Sequence, residues 1–166
     1  MKEGWEYKKL GEVGMVITGN TPSTKDAENY SSHDYCFVKP SDISKEGTSV
    51  LTKTEFYISA KAYNNSRKLP KGSVLTTCIG IIGKVGVLNV EATCNQQINA
   101  IIPSPAIITS SFLAYSILSK KSFSFEIIRH FNINSFFRAF NFFLYCLFMY
   151  NFISFSFGEI FPACFG

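Results

Sequence analysis

Residues 69–103, LPKGSVLTTCIGIIGKVGVLNVEATCNQQINAIIP, carry the signals that decide the fold. Pro70 and Gly72 predict a turn, because proline presets φ at one turn position and glycine relieves strain at a later one. The β-branched and apolar residues 73–79 predict a strand, and residues 85–90 predict a second one. Residues 91–93 read as a connection before the apolar run 98–102. These signals predict short strands joined by tight turns.

Three glycines, Gly80, Gly83 and Gly86, interrupt the strand pattern at a spacing of three. This spacing predicts a tight structural turn between strands, with Lys84 either solvated or in contact with a DNA phosphate. A phosphate-binding loop for nucleotides is not indicated. That motif needs four residues between its first Gly and its Gly-Lys, followed by Ser or Thr, whereas here the gap is two and Val85 follows.

Three consecutive amide side chains, Asn95, Gln96 and Gln97, precede the last apolar run. Amides donate and accept hydrogen bonds together, which suits the reading of polar base edges. Buried amides also tie loops together through backbone groups, and this alternative stays open. If Gln96 and Gln97 begin a strand, they point to opposite faces, so at most one of them is expected to face DNA.

Outside this stretch the chain predicts further short elements. Residues 10–18, 35–39 and 54–58 favour strands, and residues 19–30 favour a loop. Ser110 or Ser111 is expected to cap a helix over residues 112–121, with one face formed by Phe112, Tyr115 and Leu118.

No catalytic or metal-binding set emerges. His33 and His130 have no Cys, Asp or Glu at ligand spacing, so neither predicts a metal site. The five cysteines form an odd set without a CxxC pair, and no apolar signal segment opens the chain, which indicates free thiols in a reducing cytoplasm; they are Cys36, Cys78, Cys94, Cys146 and Cys164. We expect a non-enzymatic protein that needs no cofactor.

Three motifs in order carry a family resemblance. Residues 5–22, WEYKKLGEVGMVITGNTP, and residues 37–43, FVKPSDI, come before the stretch 69–103. Together they resemble a target recognition domain in the specificity subunits of Type I restriction-modification systems, over residues 5–118. The resemblance implies an α/β (α+β) fold with a curved, mostly antiparallel sheet in residues 1–111, followed at 112–121 by the start of a spacer helix.

The resemblance also implies a function. The domain would bind one half of a bipartite site in double-stranded DNA for the methyltransferase and restriction subunits, which carry the chemistry. A second half-subunit would complete the site, and no small-molecule substrate is involved.

The charge distribution agrees with a DNA reader. Residues 1–121 contain 14 Lys+Arg against 10 Asp+Glu, while the remaining residues contain two of each. Lysines would contact phosphates, and hydroxyls and amides on loops would read base edges. The candidate DNA-binding residues are Thr21, Ser23, Lys25, Lys39, Asp42, Lys71, Lys84, Asn95, Gln96 and Gln97.

Residues 122–166 differ sharply in composition from the preceding chain. They hold 14 of the 17 phenylalanines. Such a bias is typical of an A+T-rich gene read out of frame, so we expect an aberrant tail on a truncated or frameshifted subunit. Two alternatives stay open: the uncharged residues 139–158 are long enough to span a bilayer, and the whole chain is an inactive remnant.

Overall fold

The computed structural model of the chain describes residues 5–119 and 162–164, with side chains over residues 8–119. Ten strands are present in these residues: β1 Trp5–Tyr7, β2 Gly14–Thr18, β3 Tyr35–Val38, β4 Thr48–Leu51, β5 Phe56–Ile58, β6 Val74–Thr77, β7 Val85–Leu88, β8 Ala92–Cys94, β9 Ile98–Pro103 and β10 Pro162–Cys164. The helices are α1 Leu10–Val13, α2 Ala60–Asn64 and α3 Ser110–Ser119, with short 3₁₀ turns at Ala27–Tyr30 and Pro40–Asp42.

The strands form a mostly antiparallel α+β domain, as predicted. A five-stranded sheet has the order β2-β9-β6-β7-β4, in which only the β7–β4 pair is parallel. A three-stranded sheet has the order β5-β3-β8, with an antiparallel β3–β5 pair and a parallel β3–β8 pair. Strands β1 and β10 pair antiparallel. The strands are therefore divided among separate sheets.

The central strands β9, β6 and β7 of the five-stranded sheet are mostly buried on both faces. Val74 packs with Val85, Ile101 and Leu113 in one apolar cluster, whereas the next residue, Leu75, belongs to a second cluster that includes Val38 and Cys94 of the smaller sheet. Successive side chains of a strand point to opposite faces, so β6 faces α3 on one side and the smaller sheet on the other. All four residues of β6 and the first four of β9 are buried, including Thr76, Thr77 and Asn99.

Two of the predicted boundaries were wrong. The first half of the strand expected at residues 10–18 is helix α1, and residues 91–93, expected as a connection, overlap the buried strand β8. Strand β8 exists because it pairs with β3, more than fifty residues earlier in the chain. A three-residue strand with such a distant partner leaves no local pattern. Strand β4 and helix α2 were not predicted.

Helix α3 begins earlier and buries a different face than the sequence predicted. Thr109 caps it: the Phe112 N–H donates to the Thr109 hydroxyl at 3.3 Å. Ser110 instead donates to the Gly72 carbonyl at 2.7 Å. The buried residues are Leu113, Ala114 and Ile117, while Tyr115 is 62 % exposed. Phe112 and Leu118 of the predicted face are half-buried against the same core, so the prediction was wrong for Tyr115, because a helix with apolar residues almost all round does not show from its pattern alone which side packs.

The glycines at 80, 83 and 86 divide into two roles. Gly80 and Gly83 lie in the β6–β7 connection with φ of 76° and 77°, a conformation that favours glycine. Gly86 does not belong to this turn, contrary to the prediction, because it lies within strand β7 and pairs with Leu75. A Cβ there would lie 3.2 Å from Leu51 Cδ1. Gly86 therefore leaves space for a packed core side chain.

Candidate nucleic-acid interface

Several connecting segments emerge at the same end of the five-stranded sheet. The register places Thr18 opposite Asn99 and Thr77 opposite Ile98, and it aligns Val85 with both Thr76 and Thr48. Strands β2 and β6 therefore end where β9, β7 and β4 begin. We call this region, with its segments 19–26, 39–47, 78–84 and 95–97, the loop end.

Segments 19–26 and 95–97 are joined by direct contacts. The Asn20 N–H donates to the Cys94 carbonyl at 2.9 Å, and the Gly19 N–H donates to the Ile98 carbonyl at 3.0 Å. The exposed Thr21 hydroxyl donates to the Gln96 side-chain oxygen. Two predicted DNA-binding residues, 75 positions apart, thus form one polar pair.

Asn95 shapes the amide segment from within. Its side-chain oxygen accepts from the Gln97 N–H at 3.1 Å, and its amide donates to the Gln97 side-chain oxygen at 2.9 Å. Asn95 is buried, whereas Gln96 and Gln97 are half-buried. The Gln97 carbonyl accepts from the Cys78 N–H at 2.9 Å, which ties the amide segment to the end of β6. Asn95 therefore ties its loop together, which is the structural alternative that the sequence left open for this residue.

Lys84 is not solvated, so that alternative of the prediction for this residue was wrong. It is only 6 % exposed, and its ammonium donates to the Pro40 carbonyl. Its backbone N–H donates to the Thr77 hydroxyl at 3.1 Å. A buried ammonium needs an acceptor inside the protein, and here the Pro40 carbonyl supplies it. Lys84 thereby joins the β6–β7 turn to segment 39–47.

Asp42 also holds its own loop. Its carboxylate accepts from the Lys39 N–H at 2.7 Å and from the Glu55 N–H at 2.9 Å. The Lys39 ammonium lies 3.1 Å from the centroid of the Phe56 ring, a cation–π contact. Both carboxylate oxygens are therefore used within the protein, and Lys39 is half-buried over an aromatic ring.

Ser23 and Lys25 are exposed on segment 19–26. The Ser23 hydroxyl accepts from the Lys25 N–H at 3.3 Å, and the Tyr30 hydroxyl donates to the Pro22 carbonyl at 2.8 Å. These contacts order the segment and leave the Lys25 side chain at the surface. Near its end, Lys61 contacts Asp26 at 3.0 Å, and this hydrogen bond holds the pKa of the Asp26 carboxyl below its usual value.

Lys71 lies at the opposite end of the sheet. The neighbouring Gly72 N–H donates to the carbonyl of Leu88, the last residue of β7, at 2.7 Å, and the Gly72 carbonyl accepts from Ser110 of α3. Lys71 is exposed, yet the structure does not bring it together with the other predicted residues.

Sequence reasoning missed Arg67. Its N–H donates to the Asn20 side-chain oxygen at 3.0 Å, and its guanidinium Nη1 donates to the Thr18 carbonyl at 2.5 Å. No motif marks the position. The one available signal was composition, because Arg67 is the single arginine in residues 1–121.

The described residues hold no cluster of three or more His, Cys, Asp or Glu that could bind a metal ion. Cys36, Cys78 and Cys94 are buried free thiols, and burial raises the pKa of Cys94 to about 12, so its thiol is protonated at neutral pH. His33 packs edge-on against Tyr57, with 5.3 Å between ring centroids. Within residues 5–119 and 162–164 no helix is long and apolar enough to cross a membrane; residues 139–158 lie outside the described part.

Comparisons with known proteins identify the family and agree with the fold. Residues 2–141 match the family model of the Type I restriction modification DNA specificity domain. The chain is 33 % identical over 100 residues to the Type I restriction enzyme HindI specificity subunit of Haemophilus influenzae, covering 60 % of this chain and 22 % of that protein. It is 33 % identical over 118 residues to the Type I restriction enzyme MjaIX specificity subunit of Methanocaldococcus jannaschii, covering 70 % of this chain and 27 % of that protein.

The fold is similar to that of a solved specificity subunit. The HsdS subunit from Thermoanaerobacter tengcongensis superposes with a TM-score of 0.58 at 20 % identity, over 74 % of this chain and 29 % of that one. The chain thus spans about a quarter of the length of the relatives it matches.

The fold and the loop end define a recognition domain. The chain belongs to the Type I restriction modification DNA specificity domain family. This membership confirms the predicted resemblance, and the relatives that the chain matches are specificity subunits of Type I restriction enzymes. The family match extends past residue 121, to residue 141.

Proposed function

We propose that the loop end binds double-stranded DNA and reads one half of a bipartite target. The observation that carries the proposal is the pairing of Thr21 with Gln96 where β2 ends and β9 begins, with Lys25 exposed on the same segment as Thr21, in a chain of the DNA specificity domain family. Loops on a rigid scaffold are where binding residues concentrate.

In this proposal the accessible residues contact DNA, and the residues bonded within the protein hold the loops in position. Lys25 contacts a phosphate, which gives salt-dependent affinity and register. Gln96 reads a base edge, with its amide oriented by Thr21. Asn95, Asp42 and Lys84 position the segments from inside, Gln97 stays with Asn95, and Ser23 orders the backbone beside Lys25.

We also propose the partners and the setting. The domain presents its half-site to the methyltransferase and restriction subunits of a Type I system, in the cytoplasm. A bipartite site needs a second recognition domain, which a second half-subunit supplies. Support comes from the relatives, which are specificity subunits, and from a similar solved chain described in work on complex assembly of the type I R-M system, with a TM-score of 0.57.

Fluorescence anisotropy of labelled duplexes tests the DNA surface, with the full chain at nanomolar concentration across a salt series. We expect log affinity to fall linearly with log salt, and Lys25→Ala to reduce the slope by about 0.9, the share of one phosphate contact. Gln96→Ala should relax preference at one base pair by about 1–3 kcal/mol.

The matched control is Lys71→Ala, at the opposite end of the sheet. It should leave the slope unchanged, although it removes the same charge from the same chain. An equal effect of Lys71→Ala and Lys25→Ala would contradict the loop end as the DNA surface. Absence of any duplex binding, alone and with the methyltransferase subunit, would favour the inactive remnant.

A further inference from the structure

Arg67 is an exposed cation that the fold anchors from two sides. It lies in the segment between α2 and β6. Its backbone N–H donates to Asn20 Oδ1, 47 residues earlier, and its Nη1 donates to the Thr18 carbonyl, 49 residues earlier. A backbone anchor and a side-chain anchor at the end of β2 together hold the guanidinium at the loop end.

The anchoring bonds leave much of the guanidinium's hydrogen-bonding capacity unused. Arginine carries five N–H donors in a planar fork, and no carboxylate forms an ion pair with Arg67 among residues 8–119. Its contact at Nη1 is a neutral carbonyl, so its positive charge is not neutralised there. A fork that is already held in place loses little conformational entropy when it binds, and its geometry suits planar, two-point acceptors.

The surroundings of Arg67 are those of a base reader. The Asn20 side-chain oxygen accepts from the Arg67 N–H, and the Asn20 backbone N–H donates to the Cys94 carbonyl beside the amide segment. The next residue, Thr21, donates to Gln96. The residues that hold Arg67, Thr18 and Asn20, therefore lie directly before the Thr21–Gln96 pair in the chain. Guanine offers two adjacent acceptors, O6 and N7, in the major groove, and arginine binds them with two parallel hydrogen bonds.

We propose that Arg67 reads a guanine of the target half-site through O6 and N7 in the major groove. This inference rests on the proposed function of the loop end, and it names a specificity-determining residue and its base. The Thr18 carbonyl acts as the positioning group that holds the fork.

The adjacent residue provides a matched control. Lys68 carries the same charge, but its ammonium donates to Asn64 Oδ1 at 2.8 Å and lies 5.2 Å from the centroid of the Tyr63 ring. Its side chain is thus held on α2 rather than on the amide segment. A change at Lys68 tests general charge at almost the same place in the sequence.

The experiment is a selection from a randomised duplex library by the full chain, with Arg67→Ala, Arg67→Lys and Lys68→Ala in parallel. The unaltered chain should select one position as G·C. Arg67→Ala and Arg67→Lys should both lose that preference, by about 5- to 150-fold, because lysine keeps the charge without the fork. Lys68→Ala should keep it.

A second measurement uses the selected duplex with 7-deazaguanine, which lacks the N7 acceptor. Substitution at the selected position should weaken binding of the unaltered chain and leave binding of Arg67→Ala unchanged. If Arg67→Ala lowers affinity equally for all duplexes and keeps the G·C preference, or if 7-deazaguanine at the selected position binds the unaltered chain as well as guanine does, Arg67 does not read that base and the inference is overturned.

Further outcomes distinguish a failure of the proposed Arg67 role from a failure of DNA binding by the loop end. If Arg67→Ala fails to fold, the 7-deazaguanine scan of the unaltered chain still decides, and insensitivity at every guanine overturns the inference. If the unaltered chain binds duplexes but selects none, or binds no duplex at all, the proposed function of the loop end fails first. Selection of a sequence that is independent of Arg67 overturns the role of Arg67 alone.

Discussion

At the scale of single residues, burial separates the polar groups that hold the loops from those that remain accessible. Lys84 is buried and bonded to the Pro40 carbonyl of a neighbouring segment, and Asn95 is buried and bonded to the Gln97 N–H within its own segment. Thr21 and Lys25 are exposed on the same end of the sheet. Residue type alone does not distinguish these roles, because a lysine or an amide suits either one.

Lys84 and Lys25 should respond differently to loss of their charge. Lys84→Met should lower the free energy of unfolding by about 1–3 kcal/mol, because the half-buried Pro40 carbonyl loses its donor. Lys25→Ala should change it by no more than about 0.5 kcal/mol, as surface substitutions usually do. Urea unfolding followed by circular dichroism measures both. A fully stable Lys84→Met variant with a reduced salt slope of DNA binding would show that Lys84 contacts phosphate after all.

At the scale of elements, the loop end depends on close approach of two chain segments. A Cβ on Gly19 would lie 2.1 Å from the Asn95 carbonyl oxygen and 2.4 Å from that of Cys94. Both neighbours are backbone atoms, which cannot turn aside as a side chain can. Glycine at position 19 therefore permits the contact between segments 19–26 and 95–97.

Two glycine substitutions test this contact. Gly19→Ala should destabilise the protein by about 1–3 kcal/mol, the range seen for overpacking, and should weaken DNA binding by separating Thr21 from Gln96. Gly11→Ala is the matched control, because a Cβ at Gly11 meets nothing within 4 Å. It should leave stability unchanged or slightly higher, since alanine favours a helix over glycine. Equal unfolding midpoints in urea for the two variants would contradict the close approach.

At the scale of the whole molecule, the described apolar core is contained within one part of the chain. Its buried residues run from Leu10 to Ile117 and join both sheets and α3. The proposed boundaries, with the recognition domain at 1–111, the helix start at 112–121 and the tail at 122–166, place this core before the tail. The β1–β10 pair is the one described contact with the tail.

A fragment of residues 1–121 should therefore fold and stay monomeric at micromolar concentration, while the full chain associates. The tail supplies 14 phenylalanines and only four charged residues in 45 positions, a composition that promotes association. Light scattering after size-exclusion chromatography compares the two. A monomeric full chain, or an unfolded fragment, would refute the proposed boundary.

The sequence by itself determined the family and the main strands. Turn signals and apolar runs located β3, β6, β7 and β9 to within a few residues, because strand alternation and turn chemistry act over neighbouring positions. Three ordered motifs were enough for the family, although they identify none of the residues that touch DNA.

Only the tertiary structure decided which residues share a surface. In the structure Thr21 contacts Gln96, and Arg67 donates to the Thr18 carbonyl. Lys71 lies at the end of the sheet opposite the loop end, and Lys84 is buried against Pro40. The tertiary structure also made β8 a strand through pairing with β3. Apart from the position of Lys71, each of these outcomes depends on a partner more than forty positions away in the chain, and both burial and hydrogen bonding are settled by such partners. Local sequence patterns carry no information about contacts at that distance.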